Sequence, residues 1–470
     1  MQYVMFVTAI YTVAACLLSQ SSCFLVDDHC PAPPPCTCSS ISTPQGPLSY
    51  IHCDYKTLSK MPTFSPLQQQ YHFYQLRVHF EHNSISYIPE YAFQALTKLS
   101  TNHILLFLSD NQISSLNVDA FLGIENTTFV DLKLGNNNLT SVPLAVKQIK
   151  HIRVLDLTGN PIHSLDSSVL SSIGHSLEVL ELDLSLFSEW PRELRLLGKM
   201  NYLYLKNTPF THLNKDAFNG FGQTLVLLEF FGSHLEYFPG AICKLPTLYL
   251  LTIDNSPFIN DNGSSLFSQC HDQLSDFERL SLTSNNLHSF PDVLRIAPSL
   301  TNIRLYNNSL ELIESEKVPA NNSVGIINLS NNKFKRIPAA LNDFSKLTTL
   351  YMQHNEIIAL ESNDFIGLPL LQTLNLNVNP IRYVSNKAFR NNKQLQELYL
   401  GDTAMKTIPQ AILSPPKLST IGMSNIFIDC TCDMSFLKHL NASALLSGPM
   451  CTFPRVTVKQ YITTSLQQCP

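Results

Sequence analysis

The stretch LTTLYMQHNEI at 347–357 is echoed, one period further on, by LQTLNLNVNPI at 371–381. Both fit L-x-x-L-x-L-x-x-N-x-L, with Leu347, Leu350, Met352, Asn355 and Ile357 answering to Leu371, Leu374, Leu376, Asn379 and Ile381. Ile152, Leu155, Leu157, Asn160 and Ile162 fit it too, as do Phe277, Leu280, Leu282, Asn285 and Leu287. The asparagine position recurs at Asn83, Asn111, Asn137, Asn160, Ser185, Thr208, Ser233, Ser256, Asn285, Asn308, Asn332, Asn355, Asn379 and Thr403, and a degenerate last turn runs through Leu418, Ile421 and Met423. Most successive members lie roughly 23–25 residues apart, inside the range of this template. The longer spacings lead into Asn111, Asn137 and Asn285. Self-similarity at this period marks a solenoid built from stacked units.

The fourth and sixth positions are apolar and alternate with polar ones, so each short run is a strand with one buried face. The asparagine sits where the chain turns away. Its amide can bond backbone groups of adjacent turns that would otherwise be buried unpaired, and Ser or Thr can do part of that work. One unit cannot bury its own apolar face, whereas stacked neighbours make a continuous core. The far side comes in two forms. One carries an apolar residue and then proline: Val142-Pro143, Trp190-Pro191, Phe238-Pro239, Phe290-Pro291, Ile337-Pro338 and Ile408-Pro409. Proline fixes φ and removes a donor, so these turns are expected to be extended or short 3-10. The other form ends near phenylalanine, at Phe121, Phe218, Phe365 and Phe389. Trp190, the one tryptophan, fills an apolar slot of the first form and reads as packing.

Length alone does not imply several cores in a solenoid, which grows by adding units. Thirty-one Lys or Arg stand against 36 Asp or Glu, a net charge of −5, which argues against a general nucleic-acid binder. From Met1 to Ser22 no side chain is charged. Val4 to Leu18 is a short apolar run, and Ser21 and Cys23 suit a cleavage site, so residues 1–23 read as a signal peptide although a basic start is missing. The run is shorter than the ~18–20 residues a membrane span needs. No later stretch is long and apolar enough to span, and the chain closes on Cys469-Pro470 without an apolar tail. The expectation is a secreted, extracellular protein without stable membrane insertion.

Of twelve cysteines, Cys16 and Cys23 would leave with the leader. Cys30, Cys36, Cys38 and Cys53 cluster near one end, and Cys430, Cys432, Cys451 and Cys469 near the other. Such clusters flanking a cysteine-poor body read as disulfide-stapled caps; four cysteines allow three pairings. One intervening residue in Cys36-x-Cys38 and Cys430-x-Cys432 is poor spacing for zinc. Cys243 and Cys270 lie in adjacent repeats and are expected to tie an insertion around Ile259–Phe267 to the preceding turn.

With repeats and caps together, the chain resembles the extracellular leucine-rich-repeat family with cysteine-rich N- and C-terminal caps. Cys30-x5-Cys36-x-Cys38-x14-Cys53 is similar to its N-terminal cap, with wider spacings; Cys430-Thr431-Cys432 with Cys451, Phe453-Pro454 and Cys469 is similar to its C-terminal cap. The N-terminal cap also resembles arthropod secreted repeat proteins, including the non-catalytic subunit of a shrimp luciferase. The resemblance implies first-to-third and second-to-fourth pairing: Cys30–Cys38, Cys36–Cys53, Cys430–Cys451 and Cys432–Cys469. It implies an α/β solenoid, a curved leucine-rich-repeat horseshoe with a parallel concave β-sheet and an irregular or 3-10 convex side. The organisation expected is a leader at 1–23, a cap at 24–72, about 15 repeats over 73–428, and a cap at 429–470.

No HExxH, G-x-S-x-G, P-loop or dinucleotide fingerprint occurs, and neither an enzyme nor a cofactor is expected. His79 and His82, placed on the first strand, read as surface histidines. Positions 3, 5 and 7 of each repeat should point out of the concave face. There Asp156, Glu181, Asp183, Glu229 and Asp254 form an acidic strip with Tyr202, Tyr204 and Phe231 among them; Arg304, Tyr306, Tyr351 and Tyr399 follow. Exposed aromatics anchor interfaces and acids steer a basic partner, so a protein ligand is expected on this strip. Glycosylation sequons begin at Asn126, Asn138, Asn262, Asn307, Asn321, Asn328 and Asn441. Asn328 falls on the concave face and Asn307 near its rim, so glycans there would shield the C-terminal part. Rival expectations are a non-catalytic subunit that stabilises a secreted enzyme, and a cell-surface adhesion ectodomain without its anchor.

Overall fold

The computed structural model describes residues 30–65, 71–256, 258, 265–439, 445–446 and 448–469. The leader at 1–23, the stretch 259–264 of the insertion, and the sequons at Asn262 and Asn441 lie outside them. The chain divides into two compact units, Met1–Asp183 and Leu184–Pro470.

In the first unit a hairpin, Thr37–Thr43 against Gly46–His52, is the antiparallel start of the sheet. Its second strand pairs in parallel with Gln75–His79. His103–Phe107, Phe129–Lys133, Ile152–Asp156 and Val179–Asp183 then follow, each parallel to the one before. In the second unit Tyr202–Lys206, Leu227–Phe231, Leu250–Asp254 and Arg279–Ser281 stack in parallel. The ladder continues through Asn302–Arg304, Ile326–Asn328, Thr349–Tyr351, Thr373–Asn375, Glu397–Tyr399 and Thr420–Gly422. Every strand is a repeat apart from its neighbour, so the crossovers carry the chain round the core and the pairing is parallel. Side chains alternate between core and solvent, as at Gln75–His79 and Leu227–Phe231.

The asparagine ladder works through side-chain hydrogen bonds to neighbouring turns, four of them at Asn332. Asn332 Oδ1 accepts from Leu310 N, while its Nδ2 donates to Leu305 O, Leu329 O and Ser330 O. Asn355 and Asn379 repeat the set. The substitutes do less. Ser233 and Ser256 bond each other, and Thr403 Oγ1 donates to Leu400 O. Thr208 Oγ1 is buried without a partner, and Ser185 is exposed rather than internal. One residue before the ladder the backbone turns left-handed in repeat after repeat. Asp110, Asn136, Asn207, Asn307, Asn331 and Asp402 have φ between 50° and 57°, and Gly159 and Gly232 have 66° and 64°. Asn, Asp and Gly tolerate this region best.

All six proline turns run straight into short 3-10 helices with the proline as N-cap: Leu144–Gln148, Arg192–Leu196, Gly240–Lys244, Asp292–Arg295, Ala339–Asp343 and Gln410–Leu413. Helix is scarce in the rest. The described α-helices are Ser167–Ile173, capped by Asp166, and Val458–Thr463, opened by a Thr457/Gln460 capping box. Phe121, Phe365 and Phe389 are fully buried on the phenylalanine side. Trp190 packs edge-on to Phe218 and donates from its indole to Ala217 O.

Disulfides join Cys30–Cys38, Cys36–Cys53, Cys243–Cys270, Cys430–Cys451 and Cys432–Cys469. The described end of the insertion is anchored besides by Phe267, packed on Phe238, and by Arg295 donating to Phe267 O and Cys270 O.

Candidate functional site

In the first unit the sheet's outer face is a ladder of charges matched across strands. Asp156 sits opposite Lys133 on one side and Glu181 on the other. Lys133 Nζ lies 2.5 Å from Glu181 Oε1 and 4.0 Å from Asp156 Oδ2. Asp156 also accepts from Thr158 N and Oγ1. Asp183 is buried at 7% exposure. Beside them Asp131, 5% exposed, accepts from His103 Nε2 at 2.9 Å and from Arg153 through Nε and a terminal nitrogen. Burial alone would raise the Asp131 carboxyl, but the His103 and Arg153 hydrogen bonds outweigh it and hold the group below its usual range. His103 Nδ1 faces Gln75 Nε2 at 2.9 Å. Both ring nitrogens are thus held by structural partners, and the acid–imidazole pair offers no free base.

Toward the hairpin the same face carries a file of rings. His79 stacks on Phe107 with centroids 4.5 Å apart, His52 on His79 at 5.6 Å, and Tyr50 on His52 at 5.7 Å. His79 ends its strand and meets Glu81 Oε2 at 2.9 Å. His82 lies past the strand's end, at φ 55°, stacked on Tyr55. Burial, and then the neighbouring His79, lower the pKa of His52.

In the second unit Tyr204, Glu229 and Thr252 are register partners, as are Lys206, Phe231 and Asp254. The Tyr204 and Phe231 rings meet at 5.1 Å. Glu229 accepts from Tyr202 Oη at 2.5 Å and Thr252 Oγ1 at 3.0 Å. Asp254 accepts from Thr283 N and Ser281 Oγ; burial nevertheless pushes its carboxyl up. The structure therefore brings together Tyr202, Tyr204, Glu229, Phe231 and Asp254 in this unit, and Asp156 and Glu181 in the other. Their carboxylates are hydrogen-bonded or ion-paired within the fold. Further along, Arg304 and Tyr306 are exposed, while Tyr351 and Tyr399 are half-buried, with the Tyr399 ring lying over Gly422.

Lys133, Asp131, Arg153 and His103 were not singled out in the sequence, and of the ring file only His79 was named, as a surface histidine. The signal was there for Lys133, which holds the same repeat position as Asp156 and Glu181; Arg153 is displaced by an irregularity in register between Ile152 and Val154. Among the described residues no group of three or more His, Cys, Asp or Glu could hold a metal ion, and no helix is long and apolar enough to cross a membrane. Asn126, Asn138, Asn307 and Asn321 are exposed. Asn328 is half-buried on the sheet face, its Oδ1 taken by Ser330.

A family model described as "Leucine rich repeat" matches residues 298–357, 322–381 and 369–425. Chaoptin of Drosophila melanogaster is 29% identical over 107 residues, 23% of this chain but only 8% of chaoptin. Fibromodulin of Oryctolagus cuniculus is 33% identical over 109 residues, 23% of this chain and 71% of that protein. A solved leucine-rich-repeat protein of Leptospira interrogans shares the fold with a TM-score of 0.61 at 21% identity, over 79% of this chain and 94% of that one. These similarities lend nothing to the narrower likeness to a luciferase subunit. Repeat, caps and similarity to fibromodulin converge: the chain belongs to the leucine-rich-repeat family.

Proposed function

We propose that this chain is a secreted, non-enzymatic binding protein that holds a protein ligand on the solvent face of its sheet. The observation that carries the reading is the Tyr204–Phe231 ring pair, with Tyr202 pinned beside it by Glu229. Rings held in place on a solvated sheet lose little freedom on binding and offer apolar area at an otherwise polar surface. Asp254, the register partner of Phe231, contributes polar complementarity beside the rings. Glu229 is already hydrogen-bonded to Tyr202 and Thr252, and Asp254 to Ser281 and Thr283, so the rings rather than negative charge drive the contact and a basic partner is steered only modestly.

A photo-crosslinking residue placed at Tyr204 should capture a discrete protein from the native secretory fluid, while the same residue at Leu413, exposed on a proline turn, should not. With that partner in hand, Tyr204→Ser with Phe231→Ser should weaken binding at least tenfold, about 1.4 kcal/mol. Unchanged affinity in the double variant would sink the proposal. Capture of an enzyme in fixed stoichiometry would favour the stabilising-subunit reading, and capture of a membrane protein the adhesion reading.

A further inference from the structure

A second surface lies on one flank of the second unit, just past the asparagine ladder. Backbone bonds set its register: Glu356 N donates to Phe334 O, Arg382 N to Ile358 O at 2.8 Å, and Asp429 N to Lys406 O at 2.8 Å. Ala359 pairs with Tyr383 in a short parallel ladder, and Phe427 opens another. Lys335, Ile358, Arg382 and Lys406 thereby occupy one row in successive repeats, with Lys333, Arg336, Tyr383 and Phe427 flanking it.

Two properties set this row apart. Lys333, Lys335, Arg336, Arg382 and Lys406 are all exposed, and among the described residues none of their side chains makes an ion pair or hydrogen bond. In the first unit, by contrast, Lys133 and Arg153 are both paired. From Lys333 to Lys417 ten Lys or Arg stand against six Asp or Glu, within a chain whose net charge is −5. Acids bound the row at both ends, Glu311 one repeat before Lys335 and Asp429 after Lys406, and Glu356 stands one repeat on from Lys333. Between the cations stand apolar side chains left open to solvent: Ile358 at 53% exposure, Tyr383 at 55% and Phe427 at 60%.

We infer that this flank docks an acidic, apolar-studded segment of a protein partner, laid across the repeats. Free cations alone would suit any polyanion. Interleaved Ile358, Tyr383 and Phe427 give no contact to a sulfate group, and Ile358 lacks the ring face on which a sugar stacks, whereas all three give seats for leucine or phenylalanine side chains between carboxylates. The spacing agrees. Counted from Lys335 to the repeat of Phe427, four steps at ~4.8 Å span about 19 Å, the length of a six-residue extended strand at ~3.3 Å per residue. Desolvated carboxylate–cation contacts supply orientation, and the apolar seats supply area.

The test uses the full chain and a fluorescein-labelled twelve-residue peptide alternating Asp or Glu with Leu or Phe, read by anisotropy. The peptide should bind, and binding should weaken as salt rises. Lys335→Glu, Arg382→Glu and Lys406→Glu together should weaken it at least tenfold. Ile358→Ser, Tyr383→Ser and Phe427→Ser together should weaken it at least fivefold. All six positions are exposed, so thermal melts of both variants should match the parent; if the charge-reversed chain melts early, the Lys→Gln and Arg→Gln versions replace it with the same expectation. Binding that survives either set overturns the inference, the apolar set because the attraction is then mere polyanion binding. Heparin or phosphatidylserine vesicles binding this row while the peptide does not would also overturn it, in favour of a polysaccharide or lipid surface.

Discussion

At the residue scale the left-handed position before each ladder residue separates what the repeat requires from what it tolerates. Its backbone needs φ near +55°, and Asn, Asp, Gly, Ser or His meet that need in most repeats. Val378 does not: it is β-branched, 38% exposed, and held at φ 55°. An L-residue in this region costs about 1–2 kcal/mol, and β-branching adds crowding. Val378→Asn, which restores the residue found at the equivalent Asn307 and Asn331, should therefore stabilise the second unit by about 1 kcal/mol. A urea titration showing a higher midpoint at unchanged slope is the expected result. This strain was legible once the sequence was aligned by repeat, because the position falls one residue before Asn379. The template itself leaves that position unspecified, so the repeat pattern carries no residue preference there.

At the element scale the proline turns show sequence and structure in close agreement. Each proline cannot donate and has φ near −65°, so it ends the extended segment and opens one 3-10 turn. The insertion before Asn285 is held differently. Cys243 lies in the 3-10 helix Gly240–Lys244, and Cys270 is fully buried against it. Closing a loop over a sequence separation of 27 residues restricts the unfolded chain, and the bond should contribute roughly 2–4 kcal/mol. Replacing both cysteines by serine should lower the unfolding free energy by that amount, read as an earlier urea midpoint. It should also raise hydrogen exchange at Phe267 and Cys270, which Arg295, Asp292 and the Phe238 ring would then hold without the disulfide. Unaltered exchange there would show that Phe267 and Arg295 suffice.

At the scale of the whole molecule the two compact units differ in how their charges are balanced, and pH should separate them. His52 has its pKa lowered by burial and by His79, with Asp54 only partly opposing and Lys56 adding to the effect. The unfolded chain therefore takes up a proton near pH 6.5 that the folded unit resists. Stability of the first unit is full above that pH and falls as pH drops through it. Asp131 acts lower down. Its folded pKa is depressed, so its contribution is present above about 3.8 and is lost as pH falls through the folded value. Hydrogen exchange at pH 7.5 and 5.5 should show the strands Gly46–His52 and Gln75–His79 loosening at the lower pH, and His52→Asn should flatten that first loss. Trp190, the sole tryptophan, lies in the second unit, so its fluorescence should change little between the two pH values. Equal loosening in His52→Asn would assign the effect elsewhere.

The sequence by itself determined the repeat, the buried face of each strand, the ladder residues and the proline turns. All of these follow from two periods, the alternation along a strand and the recurrence of the whole repeat, which a local pattern carries in full. Asp156, Glu181, Tyr204 and Phe231 could be assigned to the outer face on the same ground. What those side chains touch was decided only by tertiary structure. Lys133 reaches Glu181 across 48 residues of sequence, Tyr202 reaches Glu229 across 27, and the His52–His79–Phe107 file forms only when three strands fall into register. Alternation says which way a side chain points. Register, set by loops whose lengths vary from repeat to repeat, decides its neighbour; it gave the first unit a balanced charge ladder and the second a ring pair.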